Sequence, residues 1–275
     1  MSLYLGSEKV ENVTAQITLP VEPSNDLPLA DGTASAGVSK KFSRADHVHP
    51  AQENSMLLGN IDVTMPTSAD WRSICYGDGK FVAIAWDDSS NVAAYSTDGI
   101  NWTQTTMPSK ALWKSVCYGN GKFVAVSGGV TYNSNIAAYS TDGINWTQTT
   151  MPGSRQWLSV CYGNGKFIAV CCNSTQSAYS TDGINWSNGK LPIIDDWHSV
   201  CYGNDKFVIV SGDDAHAAYS TDGINWTQAT MPSDAKWYSV CYGNGKFVAV
   251  ARQLTAHTSE STNAAAYSTD GINWT

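Results

Sequence analysis

Five aspartates, Asp98, Asp142, Asp182, Asp222 and Asp270, occur in one repeated setting, Tyr-Ser-Thr-Asp-Gly-Ile-Asn-Trp. A short carboxylate just before a glycine is suited to accepting hydrogen bonds from turn amides. Glycoside hydrolysis asks for something else, two groups of opposed pKa roles held close together. Nothing marks such a pair. The arginines of the repeats are Arg72, Arg155 and Arg252, and their one glutamate is Glu260. No nucleophile motif, Gly-rich phosphate loop or zinc-hydrolase motif is present. The aspartates therefore read as turn formers, and the chemistry to look for is binding.

The elements that position these residues repeat with them. Trp-x-Ser-(Ile/Val)-Cys-Tyr-Gly begins at Trp71, Trp113, Trp157, Trp197 and Trp237, with steps of 42, 44, 40 and 40 residues. That is the length of one four-stranded propeller blade. In the second copy, strand a is expected over residues 113–119 and strand b over 122–126. Asn120-Gly121 supplies the hairpin turn between them. Strand c follows over 136–141 and strand d over 144–149, with Asp142-Gly143 turning between them and Met151-Pro152 ending the last strand. The fourth copy departs with Asn204-Asp205, which strains its first turn. The fold predicted is all-β: a five-bladed β-propeller of four-stranded antiparallel blades over residues 58–275, preceded by an extended N-terminal arm over 1–57. The last strand d is short, so Ile61 to Pro66 is expected to complete or abut the last blade.

Composition narrows the partners. The 275 residues carry a net charge of −8, which repels phosphate backbones and argues against nucleic acid. No apolar run reaches membrane-span length, so no membrane insertion is expected. Residues 1–5 lack the pattern of a secretory signal, so synthesis and first folding are expected in a cytoplasm. Cys75, Cys117, Cys161, Cys201 and Cys241 share one slot of the repeat, and Cys171 and Cys172 are adjacent. They read as small buried thiols on one strand face, with neither disulfides nor zinc.

Differences between the copies mark the binding surface. The residue after each first Trp is Arg72, Lys114, Leu158, His198 or Tyr238, and the residue before it is Asp70, Leu112, Gln156, Asp196 or Lys236. The segments after strand b also diverge. They contribute Trp86 and Asp87, Tyr132, Asp213 and His216, and Arg252 and His257, while Arg155 lies in a d–a connection. The d–a and b–c connections lie on one face of a blade, whereas the opposite face carries near-identical turns. Drift would roughen both faces, so the variable face is read as the ligand-binding face. Its mixture of aromatic and polar groups suits sugars. The five repeated Trp are packing residues, and Trp86, without counterpart in other copies, is the better contact.

Three resemblances add to this reading. Tyr95 to Trp102 resembles the Asp-box of neuraminidase-type propellers, one residue shorter between Asp98 and Gly99. In that family the Asp accepts turn amides and the Trp packs between blades. The family's catalytic set has no counterpart here, so a sialidase-like hydrolase is a distant alternative. The stretch Asp31 to Pro50, ending Arg44-Ala-Asp-His-Val-His-Pro, looks like a module of bacteriophage and prophage tail proteins. Residues Leu3 to Lys9 look like the start of tail proteins from phages of Gram-positive bacteria. This resemblance implies a non-enzymatic receptor-binding protein of a virion tail, extracellular when it functions, recognising a bacterial surface glycan or protein. The arm would join other tail proteins and form a homotrimer. In trimeric tail fibres a His-x-His pair from each chain can surround a metal ion. His47 and His49 match that pattern, and strand positions two apart face one side. Six imidazoles would suit iron, nickel or zinc. A structural tail or virion decoration without ligand is the third reading.

Overall fold

The computed structural model of the chain describes residues 63–128, 133–254 and 262–275. The arm with His47 and His49, the residues Ile61, Tyr132 and His257, and Glu260 lie outside the described residues. Among the described residues there is no helix, and every strand pairing is antiparallel. The first unit holds β1 (Trp71–Gly77), β2 (Lys80–Asp87), β3 (Val92–Ser96) and β4 (Thr103–Thr106). The second holds β5 (Ala111–Gly119), β6 (Lys122–Ser127), β7 (Ser134–Ser140) and β8 (Thr147–Arg155). In the third, β9 (Trp157–Gly163) pairs with β10 (Lys166–Ser180), which serves as both middle strands. Strand β11 (Ser187–Gly203) closes the third unit and opens the fourth, which continues with β12 (Lys206–Ser211), β13 (His216–Ser220) and β14 (Thr227–Thr230). The fifth holds β15 (Ala235–Gly243), β16 (Lys246–Leu254) and β17 (Ala265–Ser268), with Thr275 bonded to Tyr267 in both directions at 2.9 and 3.0 Å.

Two strand expectations are corrected. The fourth strand of the second unit begins at Thr147, because the Asp142 carboxylate takes the backbone N–H groups of Ile144 and Asn145, each at 2.8 Å. Those amides belong to the turn and are lost to the ladder. Nor does proline end the strand in every unit: β8 runs through Pro152 and β11 through Pro192. Both prolines fall in a register gap, Pro152 between the paired Thr150 and Arg155 and Pro192 between the paired Lys190 and Asp195, so no ladder donor is lost. The strained fourth-unit turn is present, with Asn204 at φ 43° and the non-glycine Asp205 at φ 56°.

The aspartate turns repeat closely. Asp98 Oδ1 accepts from Ile100 N at 2.8 Å, Asn101 N at 2.7 Å and the Ser96 hydroxyl at 2.9 Å, while Oδ2 accepts from the Asn101 side chain at 2.7 Å. These bonds, led by the Asn101 side chain, hold the Asp98 carboxyl far below the usual carboxylate range. In the last turn the Asn273 and Ile272 amides lead the same effect on Asp270. A carboxyl depressed in the fold contributes stability above its unfolded pKa, about 4, and loses it as pH falls toward the folded value. Acid unfolding is therefore expected to set in below about pH 4. Asp182→Asn, which removes one titrating group, should flatten the loss below that point. Tryptophan fluorescence across pH 2–6 on both proteins checks this, and an unchanged profile would refute it.

The core lies between units. Trp113, Trp157, Trp197 and Trp237 are fully buried, and so are Phe123, Phe167, Phe207 and Phe247. Val124 and Val126 of one unit pack with Trp157 and Phe167 of the next, so no unit encloses its own core. Each joint has the same hardware. The rings of Tyr118, Tyr162, Tyr202 and Tyr242 cover Gly77, Gly119, Gly163 and Gly203, where an added Cβ would stand 2.0 Å from the ring. Beside them Ser73, Ser115, Ser159 and Ser199 accept from Val116, Val160, Val200 and Val240 backbone N–H at 3.1–3.2 Å.

A fifth joint would set Tyr76 over Gly243. It is not made: a Cβ at Gly243 meets nothing within 4 Å, and Tyr76 and Ile74 are 60% and 57% exposed. Residues Val63 to Pro66 form no strand, so the expected closure through this segment is not found among the described residues. The burial expected of the repeated thiols is only partial: Cys75, Cys117, Cys161 and Cys201 are half-buried, whereas Cys171 and Cys172 are buried. Cys241 is exposed, because no next unit covers it, while burial raises the pKa of Cys117 and Cys161 well above the ordinary thiol value. All seven cysteines are free.

Candidate binding site

The two ends of the units separate as the copies imply. At one end, Asn120, Asn164 and Asn204 in the first turns donate to the carbonyls of Thr181, Thr221 and Thr269 in the aspartate turns of the following units. At the other, the backbone N–H groups of Trp86, Gly128, Cys172 and Gly212 bond to the carbonyls of Asp70, Leu112, Gln156 and Asp196. These bonds tie four of the b–c segments to their d–a connections, and in the fifth unit Gln253 pairs with Lys236, so all the variable segments share one end.

A register shift marks that end in every unit. The pairing slips between Trp71 and Ser73, Trp113 and Ser115, Trp197 and Ser199, and Trp237 and Ser239. In the third unit it slips between Val170 and Cys171, opposite Trp157 to Ser159. The residue skipped is always the variable one: Arg72, Lys114, Leu158, His198 and Tyr238. A bulge takes its residue out of the ladder and re-aims its side chain. One backbone device thus presents five different side chains from equivalent places on neighbouring first strands.

Four of those side chains, Arg72, Lys114, His198 and Tyr238, gather with Trp86 and Arg252 from the b–c segments. Strand β2 extends past its own unit to pair with the start of β5, Trp86 opposite Leu112, which plants Trp86 on the seam between the first two units. Its indole N–H donates to the Gly128 carbonyl at 3.4 Å. The Arg72 guanidinium and Lys114 ammonium lie 5.6 and 5.7 Å from the Trp86 ring centre. On the other side His198 stacks on Tyr238 at 3.8 Å between ring centres. Arg252 lies 5.2 Å from the Tyr238 ring centre and donates to its hydroxyl at 3.1 Å. Trp86 is thus a platform on which two cations stand.

Electrostatics joins the two sets. Burial and then the nearby Arg72 charge pull the Lys114 ammonium down to about 8. Burial and then Lys114 pull His198 down to about 4, leaving a neutral ring at physiological pH. Its Nε2 is buried without a hydrogen-bond partner among the described residues. Burial, followed by Asp213, lifts Asp196 to about 6. Asp196 packs beside His198 because Gly212 leaves room, an added Cβ there standing 3.1 Å from the carboxylate.

The other expected site residues stand apart from this group. Asp87 caps its own loop, accepting from Ser89 N at 2.8 Å and Ser89 Oγ at 2.6 Å. The Arg155 guanidinium is taken by the Gln176 side chain. Asp213 faces Lys236 at 3.7 Å. His216 Nδ1 sits 2.7 Å from buried Asp195, whose other oxygen accepts from Ser211 Oγ at 2.6 Å and Asp196 N at 2.7 Å. Asp214 joins Asp195 and His216 as a cluster of metal-ligand types. The Asp195 oxygens are already bonded within the protein. The carboxylate also stands between serine and histidine, so His216 has no path to activate Ser211 as a nucleophile. Sequence reasoning missed Asp195, and it noted Asp196 as variable without selecting it. Asp196 could have been found, since it stands in one of the two variable slots that flank each first Trp.

No protein-family profile and no curated protein matches the chain in sequence. Among solved structures, virginiamycin B lyase from Staphylococcus aureus matches at a TM-score of 0.64 and 14% identity, over 76% of this chain and 70% of that one. A streptogramin B lyase matches at 0.59 and 9% identity, over 75% and 82%. YCF48 bound to D1 peptide matches at 0.56 and 15% identity, over 77% and 67%. These are β-propeller proteins, and at such identities the likeness carries the fold alone.

Proposed function

We propose that the chain is a non-enzymatic receptor-binding module of a phage-type tail, its five repeat units serving as propeller blades. Its variable end recognises a bacterial surface glycan or protein. The observation that carries the reading is the repeated bulge, which sets differing side chains at one end of an otherwise uniform scaffold. The attachment and trimerisation roles that resemblance gives to residues 1–57, with a metal at His47 and His49, belong to the same proposal.

A second reading, a glycan hydrolase of the sialidase type, is kept because the aspartate turns resemble that family's Asp-box. Against it, the group of Arg72, Trp86, Lys114, His198, Tyr238 and Arg252 offers cations, a neutral histidine and aromatic faces, and contains no carboxylate to serve as a glycosidase nucleophile. A screen of glycans and whole bacterial cells, with product release followed in parallel, separates the readings. Binding without turnover is expected. Turnover by the purified chain would favour the enzyme, and failure to bind any cell or glycan would leave only a structural decoration.

A further inference from the structure

Resting on that reading, we propose that the variable end takes an oxyanion of single charge carried on a sugar polymer, held between Arg72, Lys114 and Arg252 with His198 supplying a hydrogen bond. The whole chain is acidic at −8, yet these three cations gather at one end. Among the described residues, the ion pairs within 4 Å are His216 with Asp195 and Lys236 with Asp213, so none of the three has a carboxylate partner. Arg72 and Lys114 stand on one ring and Arg252 on another, so their aromatic supports hold them without neutralising them.

Lys114 is 8% exposed, a burial that long amines rarely accept unpaired. His198 is also 8% exposed, and its Nε2 lacks a partner. An incoming oxyanion would meet both needs: it brings the missing counter-charge and accepts hydrogen bonds from guanidinium or ammonium. Asp196 stands beside His198 and opposes excess negative charge, which favours one charge per group over two. Carboxylate and phosphodiester groups share that chemistry.

The test uses the full chain against polygalacturonate, poly(glycerol phosphate) and neutral dextran, with intact bacterial cells as a fourth arm. Binding to either charged polymer, and not to dextran, is expected; which one binds identifies the source of the oxyanion. Arg72→Gln and Lys114→Gln should each weaken it roughly tenfold or more. Arg72 is exposed, so its variant tests the claim even if buried Lys114 tolerates no change. Equal binding to dextran, or cell binding unaffected by Arg72→Gln, would overturn the charge proposal while leaving glycan or cell recognition standing. No binding to any polymer or cell would remove both.

Discussion

Replacing Gly163 by alanine is expected to cost about 3 kcal/mol or more, while the same change at Gly243 costs less than about 0.5 kcal/mol. The two glycines occupy the same slot of the repeat. At Gly163 the new methyl would stand 2.0 Å from Tyr202 Cγ and 2.5 Å from its Cβ. The Cβ is tied to the backbone and cannot swing away. The ring must therefore move off its place against Phe207, 4.8 Å between centres, or the two units must part. At Gly243 the methyl meets nothing within 4 Å. Urea unfolding midpoints for both variants measure the difference. A loss at Gly243 equal to that at Gly163 would mean that Tyr76 does occupy it, and that the fifth joint closes.

The second large effect is expected from Trp197→Ala, a loss of about 3–5 kcal/mol. The Trp197 side chain is fully buried among Val170, Leu191 and Phe207, in a core shared by the third and fourth units, and its indole N–H donates to Ile193 O at 3.4 Å. Truncation empties that core and strands the carbonyl. Trp71 makes the equivalent bond to Thr67 at 3.3 Å but is only half-buried, with no unit before it. Trp71→Ala should therefore cost less than half as much. Thermal unfolding of the pair checks the ratio, and equal losses would contradict the view that the core lies between units.

The repeat made much of the fold legible, because each copy restates the same alternation and the same turns. The carboxylate turns at Asp98 and its counterparts were readable from chemistry alone. What escaped were effects that need two strands at once. The bulge at Arg72 and Lys114 arises from pairing between first and second strands, and no single segment announces it. Gly163 reads as the approach to a turn, yet it is the socket for a tyrosine 39 residues later. The open joint was hidden for a further reason: the copies state what each unit needs from its neighbour, not the angle through which each unit turns. At the site, Trp86 stood out because no other copy has it, but its partners Arg72 and Lys114 come from two units, and only the seam at β2 and β5 brings them together.

The claim that one end of the units binds and the other only folds is tested most directly by equilibrium binding to bacterial cells. Wild type is compared with Trp86→Ala, at the variable end, and Lys122→Ala, beside the uniform turns. The expected result is at least about a tenfold loss for Trp86→Ala and none for Lys122→Ala. Unchanged binding by Trp86→Ala, or an equal loss from Lys122→Ala, would contradict it.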